Sequence, residues 1–230
     1  MKLNRRERLR VATYEEIKSV AWRQIAEFGA PSFSLNAIAR EMGMTTPALY
    51  RYYQDRNDLV TALVEEAFDS FADALEAARD ACPLDDHAGR FRAIGLAYRQ
   101  WAVTYPQRFI LIFGTPIPGY KVSGNPGTAA QRSFLVLVGV IGEAYQAGKF
   151  HLSPGYEAMT PALLARLEVF RQMGMPYPPI VMQLALASWS WIHGLTSLDV
   201  LGELPSFLED NVDDFVRFEL HAFMERLGLG

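Results

Sequence analysis

The chain has 230 residues, of which 50% are apolar and 21% are charged, so it can bury one large core or two modest ones and is not expected to be disordered. Its single cysteine, Cys82, excludes an internal disulfide framework and fits a reducing compartment. The formal net charge of −4 hides an asymmetry, because residues 1–60 carry ten Lys and Arg against seven Asp and Glu whereas the remainder is acidic. No secretory signal or membrane span is expected, since no long apolar run follows the basic N-terminus.

The first two expected helices lie before residue 43. Thr13 and Glu16 form a Thr-x-x-Glu capping box, after which apolar residues recur at helical spacing until Gly29. A shorter amphipathic helix is expected over residues 35–42. It should end at Gly43, where the chain is expected to pass through a left-handed conformation that penalises a side chain.

The next two helices follow at once. Thr45 can cap a third helix that carries Pro47 in its first turn and runs to about residue 53. Asp55 then caps a long fourth helix that extends to about residue 81. Little of the third helix is apolar, so it is expected to present most of its side chains outward.

The remainder of the chain also reads as helix. Pro83 marks a break, and residues 114–127 form a loop rich in Gly and Pro. Further helices are expected at about 87–104, 106–113, 129–147, 158–173, 178–202 and 207–227. The chain is therefore predicted to be all-α, with an N-terminal three-helix domain over residues 1–58 and a helical domain over residues 59–230.

The second and third helices have the form of a helix-turn-helix, in which the first helix braces and the second enters the major groove of DNA. An ordinary helical hairpin with solvated polar residues is the alternative that spacing alone leaves open. Hydroxyl and phenol groups bind phosphates, and a guanidinium can contact a guanine edge. The residues predicted to contact DNA are Ser34, Asn36, Thr45, Thr46, Pro47, Tyr50, Arg51, Tyr52 and Arg56.

One series of residues in this segment is highly specific. The pattern Ala-Leu-Tyr-x-x-Tyr-x-x-Arg-x-x-Leu begins at Ala48, and with the preceding helices it resembles the N-terminal domain of the tetracycline-repressor (TetR) family over roughly residues 10–62. The resemblance implies a DNA-binding transcription regulator rather than an enzyme. Thr46 and Pro47 replace the Lys-Gly often found there, so the operator sequence cannot be carried over.

The resemblance also implies that the second domain binds an effector and forms a homodimer. The Trp-x-His-Gly-Leu series that starts at Trp191 resembles the C-terminal domain of one branch of the family. The candidate lining of an effector pocket is Trp101, Tyr105, Phe109, Phe113, Phe134, Leu137, Tyr145, Met173 and Trp189, which would suit an apolar or aromatic small molecule. The candidate dimer interface is Ile180, Leu184, Leu195, Leu198, Phe215 and Phe223. For both sets, ordinary core packing is the alternative.

No metal site, cofactor or catalytic constellation is expected. His193 stands alone in an apolar helix without a second ligand four residues away, so we interpret it as a packing residue. The hypothesis is a cytoplasmic, homodimeric repressor that binds a pseudo-palindromic operator in double-stranded DNA, makes no membrane contact and is released by a small molecule. A DNA-binding regulator without an effector pocket is the alternative, a helical enzyme is the least favoured, and an activator stays open.

Overall fold

The structure is a computed structural model that describes residues 4–29, 34–114, 120, 127–152, 154–172 and 174–229. None of these residues lies in a β-strand, so the predicted all-α class is confirmed. The helices are α1 Arg5–Phe28, α2 Leu35–Glu41, α3 Thr46–Leu49, α4 Arg56–Asp80, α5 His87–Thr104, α6 Pro106–Phe113, α7 Gly127–Gln146, α8 Pro154–Glu157, α9 Pro161–Gln172, α10 Pro179–Val200, α11 Glu203–Leu208 and α12 Val212–Leu227. Most of the predicted loop at 114–127 lies outside the described residues.

Helix α1 begins well before the predicted start at Thr13, so that prediction was wrong. The side chain of Asn4 accepts a hydrogen bond of 2.9 Å from the backbone N–H of Glu7, whose carboxylate accepts one of 2.9 Å from the N–H of Asn4. This capping box lies nine residues before the predicted one and satisfies the N–H groups of Asn4 and Glu7. Thr13 lies inside the helix, where its hydroxyl donates to the carbonyl of Leu9 at 2.9 Å. The predicted end at Gly29 is confirmed, with φ of 78°.

The turn between α2 and α3 follows the prediction more closely than α3 itself does. Gly43 has φ of 65°, the left-handed conformation expected there. Thr45 occupies the N-cap position of α3, although its side chain makes no capping hydrogen bond. Helix α3 ends at Leu49 rather than near residue 53, because the backbone tightens into a turn in which the N–H of Tyr52 donates to the carbonyl of Leu49 at 2.8 Å.

The cap of α4 is confirmed. Asp55 accepts a hydrogen bond of 2.9 Å from the N–H of Asp58, and the Asp58 carboxylate accepts one of 3.0 Å from the N–H of Gln54. One stripe of this helix is buried throughout and consists of Leu59, Leu63, Ala67, Phe71 and Leu75.

The chain forms two compact units, and helix α4 contributes to both. Residues 1–69 and 105–130 make up the first unit, and residues 70–104 and 131–230 make up the second. The predicted domains divide instead between residues 58 and 59. The first unit also takes in residues 59–69 of α4 and helix α6, whose Leu111 and Ile112 pack against its core.

Each unit has its own core. In the first unit, α1, α2, α3 and α4 bury Ile17, Ile38, Leu49, Leu59 and Leu63 completely. In the second unit, α7, α10 and α12 contribute the fully buried residues Ile141, Leu184, Leu220, Met224 and Leu227. The last predicted helix is interrupted by a 3-10 turn at Glu209–Asn211. Over the ranges that the structure describes, no helix combines the length and apolar character needed to cross a bilayer.

Candidate nucleic-acid interface

Helices α2 and α3 pack closely across the Gly43 turn. Ala39 on α2 is 1% exposed and Leu49 on α3 is fully buried, so the inward side of each helix belongs to the core of the first unit. The N–H of Met44 donates to the carbonyl of Ala39 at 2.8 Å, which closes the turn. The helix pair therefore has the bracing and presenting geometry of a helix-turn-helix.

The predicted DNA-contact residues fall into two groups by exposure. Asn36, Thr45, Pro47, Tyr50 and Arg51 are exposed, and Tyr50 retains 47% of its surface. No ion pair is formed by the Arg51 guanidinium with any described residue. These side chains are accessible to a binding partner outside the chain.

The second group is half-buried and consists of Ser34, Thr46, Tyr52 and Arg56. The Ser34 hydroxyl oxygen accepts a hydrogen bond of 3.2 Å from the N–H of Ala37 and thereby caps α2. Its own O–H can still donate to a phosphate oxygen. All four residues remain predicted DNA contacts. Ser34 also caps α2.

An aromatic cluster joins α1 to the end of the reading segment. The ring of Tyr14 makes edge-on contacts with Tyr52 at 5.0 Å and with Tyr53 at 5.5 Å between ring centroids. Burial raises the pKa of Tyr53 above its usual range. Arg10 donates to the Tyr14 hydroxyl at 3.3 Å and lies over its ring. Sequence reasoning missed Arg10 because it placed the helix start after it.

A second feature that sequence reasoning missed is a charge network centred on Glu66 of α4. Its carboxylate accepts hydrogen bonds from the indole N–H of Trp22 at 3.1 Å and from Arg108 of α6 at 3.2 Å. It also forms an ion pair of 2.6 Å with Lys18 of α1, which is not aligned as a hydrogen bond. The network ties α1, α4 and α6 together, and it lines an open groove of about 380 Å³.

The predicted effector residues do not form one group. Tyr105, Phe109 and Phe113 belong to the first unit, whereas Trp101, Phe134, Leu137, Tyr145 and Trp189 belong to the second, and Met173 lies outside the described residues. Trp101 is 4% exposed and donates its indole N–H to the hydroxyl of Ser70 at 3.1 Å. None of the eight described residues lines a small hollow of about 10 Å³ among α7, α9 and α10 in the second unit. Their role in binding an effector stays a prediction.

His193 is a satisfied packing residue, as interpreted from the sequence. Its Nδ1 lies 2.8 Å from the hydroxyl of Tyr98, and its ring lies 5.7 Å from that of Trp189. Burial lowers the pKa of His193. Among the described residues, no group of three or more potential metal ligands comes together.

The candidate dimer residues differ sharply in exposure. Leu184 is fully buried and Phe223 is 6% exposed within a single chain, so both pack in its core, which was the alternative for these positions. Leu198 is 47% exposed, and Ile180, Leu195 and Phe215 are half-buried. Three further exposed apolar residues lie in the same stretch of chain, namely Leu201 at 67%, Phe207 at 82% and Phe218 at 66%.

Comparisons with known proteins agree with this architecture. Residues 17–63 match the family model described as "Bacterial regulatory proteins, tetR family", and residues 91–223 match that described as "Tetracyclin repressor-like, C-terminal domain". HTH-type transcriptional regulators of Mycobacterium tuberculosis and Mycobacterium bovis are 32% identical to the chain over 194 residues, which is 82% of this chain and 80% of each relative.

Solved structures are similar over nearly the whole chain. The regulatory protein SCO4313 has a TM-score of 0.79 and 35% identity, and the match covers 96% of this chain and 100% of that one. A tetR-family regulatory protein from Rhodococcus shares the fold with a TM-score of 0.65 at 16% identity, over 94% of this chain and 97% of its own. These relatives are named as regulators and not as enzymes. The chain belongs to the tetracycline-repressor (TetR) family of DNA-binding transcription regulators.

Proposed function

We propose that the chain is a cytoplasmic repressor that, as a homodimer, binds a pseudo-palindromic operator in its free state and is released by a small apolar or aromatic molecule. The observation that carries the proposal is the arrangement of α3, whose inward residue Leu49 is fully buried while Thr45, Pro47, Tyr50 and Arg51 are exposed. A helix held this rigidly from one side can present its other side to base edges.

The exposed groups suit distinct tasks on DNA. The Arg51 guanidinium can bind a guanine edge with two hydrogen bonds, which would discriminate that base by about 1–3 kcal/mol. The hydroxyls of Thr45 and Tyr50 and the amide of Asn36 can bind phosphate oxygens and set the register on the duplex. The methylene surface of Pro47 can pack on thymine methyl groups.

A homodimer is proposed because one α3 helix can read only one half-site, and paired half-sites lie about 34–36 Å apart. The exposed apolar residues Leu198 on α10 and Phe218 on α12 are the strongest candidates for the interface, with the half-buried Ile180, Leu195 and Phe215 beside them. Exposed apolar side chains of this size in neighbouring helices are more typical of an interface than of a free surface.

Release by a ligand is proposed to act through α4, which begins directly after the reading segment. Within the second unit, the ring of Phe71 of α4 packs edge-on against that of Tyr98, with 4.8 Å between the ring centroids. The Tyr98 hydroxyl is hydrogen-bonded to His193. Trp189 and Phe134 lie next to this cluster, with 6.0 Å between their ring centroids. A ligand that prefers a different arrangement of these rings would shift α4, and its effect is limited to its differential affinity for the two arrangements.

The alternative is a regulator without an effector. The hollow of about 10 Å³ described above has room for only one water molecule, so it is not the proposed effector pocket. A screen of apolar and aromatic compounds for release of a bound operator fragment separates the two functions. Release by any compound excludes the alternative, and no release across the screen favours it.

The proposed DNA binding is tested by a gel shift on the intergenic DNA upstream of the protein's own gene, at two salt concentrations. We expect salt-sensitive, site-specific binding, and Arg51→Ala should weaken it by about 10- to 100-fold. Arg166→Ala, which removes an exposed arginine on α9 of the second unit, is the matched control and should bind as the wild type does. Equal binding by wild type and Arg51→Ala would contradict the assigned role of α3.

If the wild-type protein does not bind this fragment, selection of bound fragments from the whole genome follows. A distant operator would then be recovered as an enriched sequence. The absence of any enriched sequence would contradict the proposed function as a whole.

A further inference from the structure

The first half of α1 is a helix without a covering partner. All residues from Asn4 to Ala12 are exposed, although the capping box at Asn4 holds them in regular helix. This half of the helix carries Arg5, Arg6, Arg8 and Arg10 against one acidic residue, Glu7. Its charge is therefore strongly positive in a chain whose formal net charge is −4.

Two of the four arginines continue the face of α1 that packs against the core. Arg6 and Arg10 precede the fully buried Ile17 by 11 and 7 residues, offsets that return a helical residue to within about 20° of the same direction. In the second half of α1 this face is covered by the helix-turn-helix core. In the first half the same face carries Arg6 and Arg10 and is open.

The reading segment lies beside this open face. Tyr14 of α1 contacts Tyr52, which follows α3, and Arg10 donates to the hydroxyl of Tyr14. With a rise of about 1.5 Å per residue, Arg10 stands about 6 Å and Arg6 about 12 Å along the helix axis beyond that contact. Both positions lie on the exposed part of α1 that continues from this contact.

No partner within the described part of the chain neutralises the charge of Arg6, and the same is true of Arg5 and Arg8. Exposed basic groups next to a DNA-reading helix have a complementary partner in the phosphates that flank the groove. Phosphates lie about 7 Å apart along one strand, so two guanidinium groups one helical turn apart, at about 6 Å, can meet neighbouring phosphates.

We propose that the exposed first half of α1 is a second DNA contact, in which Arg6 and Arg10 bind backbone phosphates next to the groove that α3 occupies. The proposal rests on the proposed operator binding. It adds affinity and register without adding base specificity, because phosphate contacts are the same for every sequence. The edge-on contacts of Tyr14 with Tyr52 and Tyr53 hold α1 against the reading segment.

The test compares two double variants of the full-length protein that remove the same charge from opposite sides of one helix. Arg6→Gln/Arg10→Gln changes the face aligned with Ile17, whereas Arg5→Gln/Arg8→Gln changes positions turned by about 120° and 180° from it. Affinity is measured between about 50 and 200 mM salt on a duplex that the wild-type protein selects from a random-sequence library.

We expect Arg6→Gln/Arg10→Gln to weaken binding by about 10- to 100-fold and to reduce the salt slope by about 0.9 for each lost phosphate contact, or about 3–4 for two arginines in each of two protomers. Arg5→Gln/Arg8→Gln should change both quantities much less. Arg6→Lys/Arg10→Lys should keep the wild-type slope, since the slope counts the phosphates neutralised and Lys neutralises a phosphate as Arg does. Thermal melting of each variant by circular dichroism verifies that α1 still folds.

Two results would overturn the proposal while operator binding by α3 stands. One is an unchanged salt slope in Arg6→Gln/Arg10→Gln, and the other is an equal loss in Arg5→Gln/Arg8→Gln, which would indicate general attraction rather than a contact. If the wild-type protein selects no duplex, the proposed function fails and this contact fails with it.

Discussion

The charge network on Glu66 provides the sharpest test of how the first unit is held together. In Glu66→Gln the side chain keeps its size and can still accept hydrogen bonds, but it loses its charge. The bonds from Trp22 and Arg108, at 3.1 and 3.2 Å, then become neutral-acceptor bonds. Each change costs about 1 kcal/mol, the difference between a charge-assisted and a neutral hydrogen bond.

The third partner contributes less to this sum. Lys18 is 17% exposed at its side chain and also pairs with Glu15 at 2.9 Å, so water and Glu15 replace most of the lost attraction. We therefore expect Glu66→Gln to lower the free energy of unfolding by about 2 kcal/mol. For a chain of this length that corresponds to a melting temperature lower by about 4–8 °C.

The measurement is urea denaturation of the full-length protein, followed by circular dichroism. Glu15→Gln is the matched control, because it removes the same charge from a side chain that is 63% exposed and, among the residues that the structure describes, pairs only with Lys18. We expect this variant to lose about 0.5 kcal/mol or less. If the two variants lose equal stability, the carboxylate of Glu66 does not organise the three helices and the reasoning fails.

The pH dependence of this network has a defined sign. Burial alone would lower the pKa of Lys18, but the ion pairs with the carboxylates of Glu66 and Glu15 outweigh this effect and raise the pKa above 10.5. A raised pKa in the folded state contributes stability below the unfolded value, and that stability is lost as the pH rises through the folded value. The Lys18 contribution is therefore complete at neutral pH and disappears only above about pH 10.5.

Three further predictions concern single positions. Gly43→Ala should cost about 1–2 kcal/mol in urea denaturation because Gly43 has φ of 65°, whereas Gly139→Ala inside α7, where an added Cβ meets nothing within 4 Å, should be neutral or stabilising. Because burial lowers the pKa of His193, the wild-type protein should lose stability relative to His193→Gln as the pH falls below 6.5. A stability difference that stays constant between about pH 8 and about pH 5 would contradict this. Leu198→Glu should shift the protein toward a monomer in analytical ultracentrifugation, whereas Leu84→Glu, at a side chain 79% exposed in a loop, should not.

The helix-turn-helix could be predicted because its determinants are local. The left-handed turn at Gly43 and the cap at Asp55 each depend on residues within four positions of one another. The start of α1 could not be predicted in the same way. Asn4 with Glu7 and Thr13 with Glu16 both match the capping-box pattern, and a regular helix follows each pair. Only the earlier box is used, because the exposed turns between them cost little in helical form.

The charge network had no local signal at all. Glu66 meets Trp22 and Arg108, which are 44 and 42 residues away along the chain. The local sequence around each of these residues does not distinguish it from a side chain on a solvated helix face. Only the packing of α6 with the first unit brings the three together, and that packing also explains why the compact units differ from the predicted domains.

The candidate dimer residues show the limit of periodicity within one helix. Leu184 and Leu198 on α10 are 14 residues apart and therefore share a face to within about 40°, yet one is fully buried and the other is 47% exposed. The rise of about 1.5 Å per residue separates them by about 21 Å along the axis. One apolar face can therefore pack on its own protomer at one end and be left for a partner at the other. Spacing identifies the face, and burial decides what covers each turn of it.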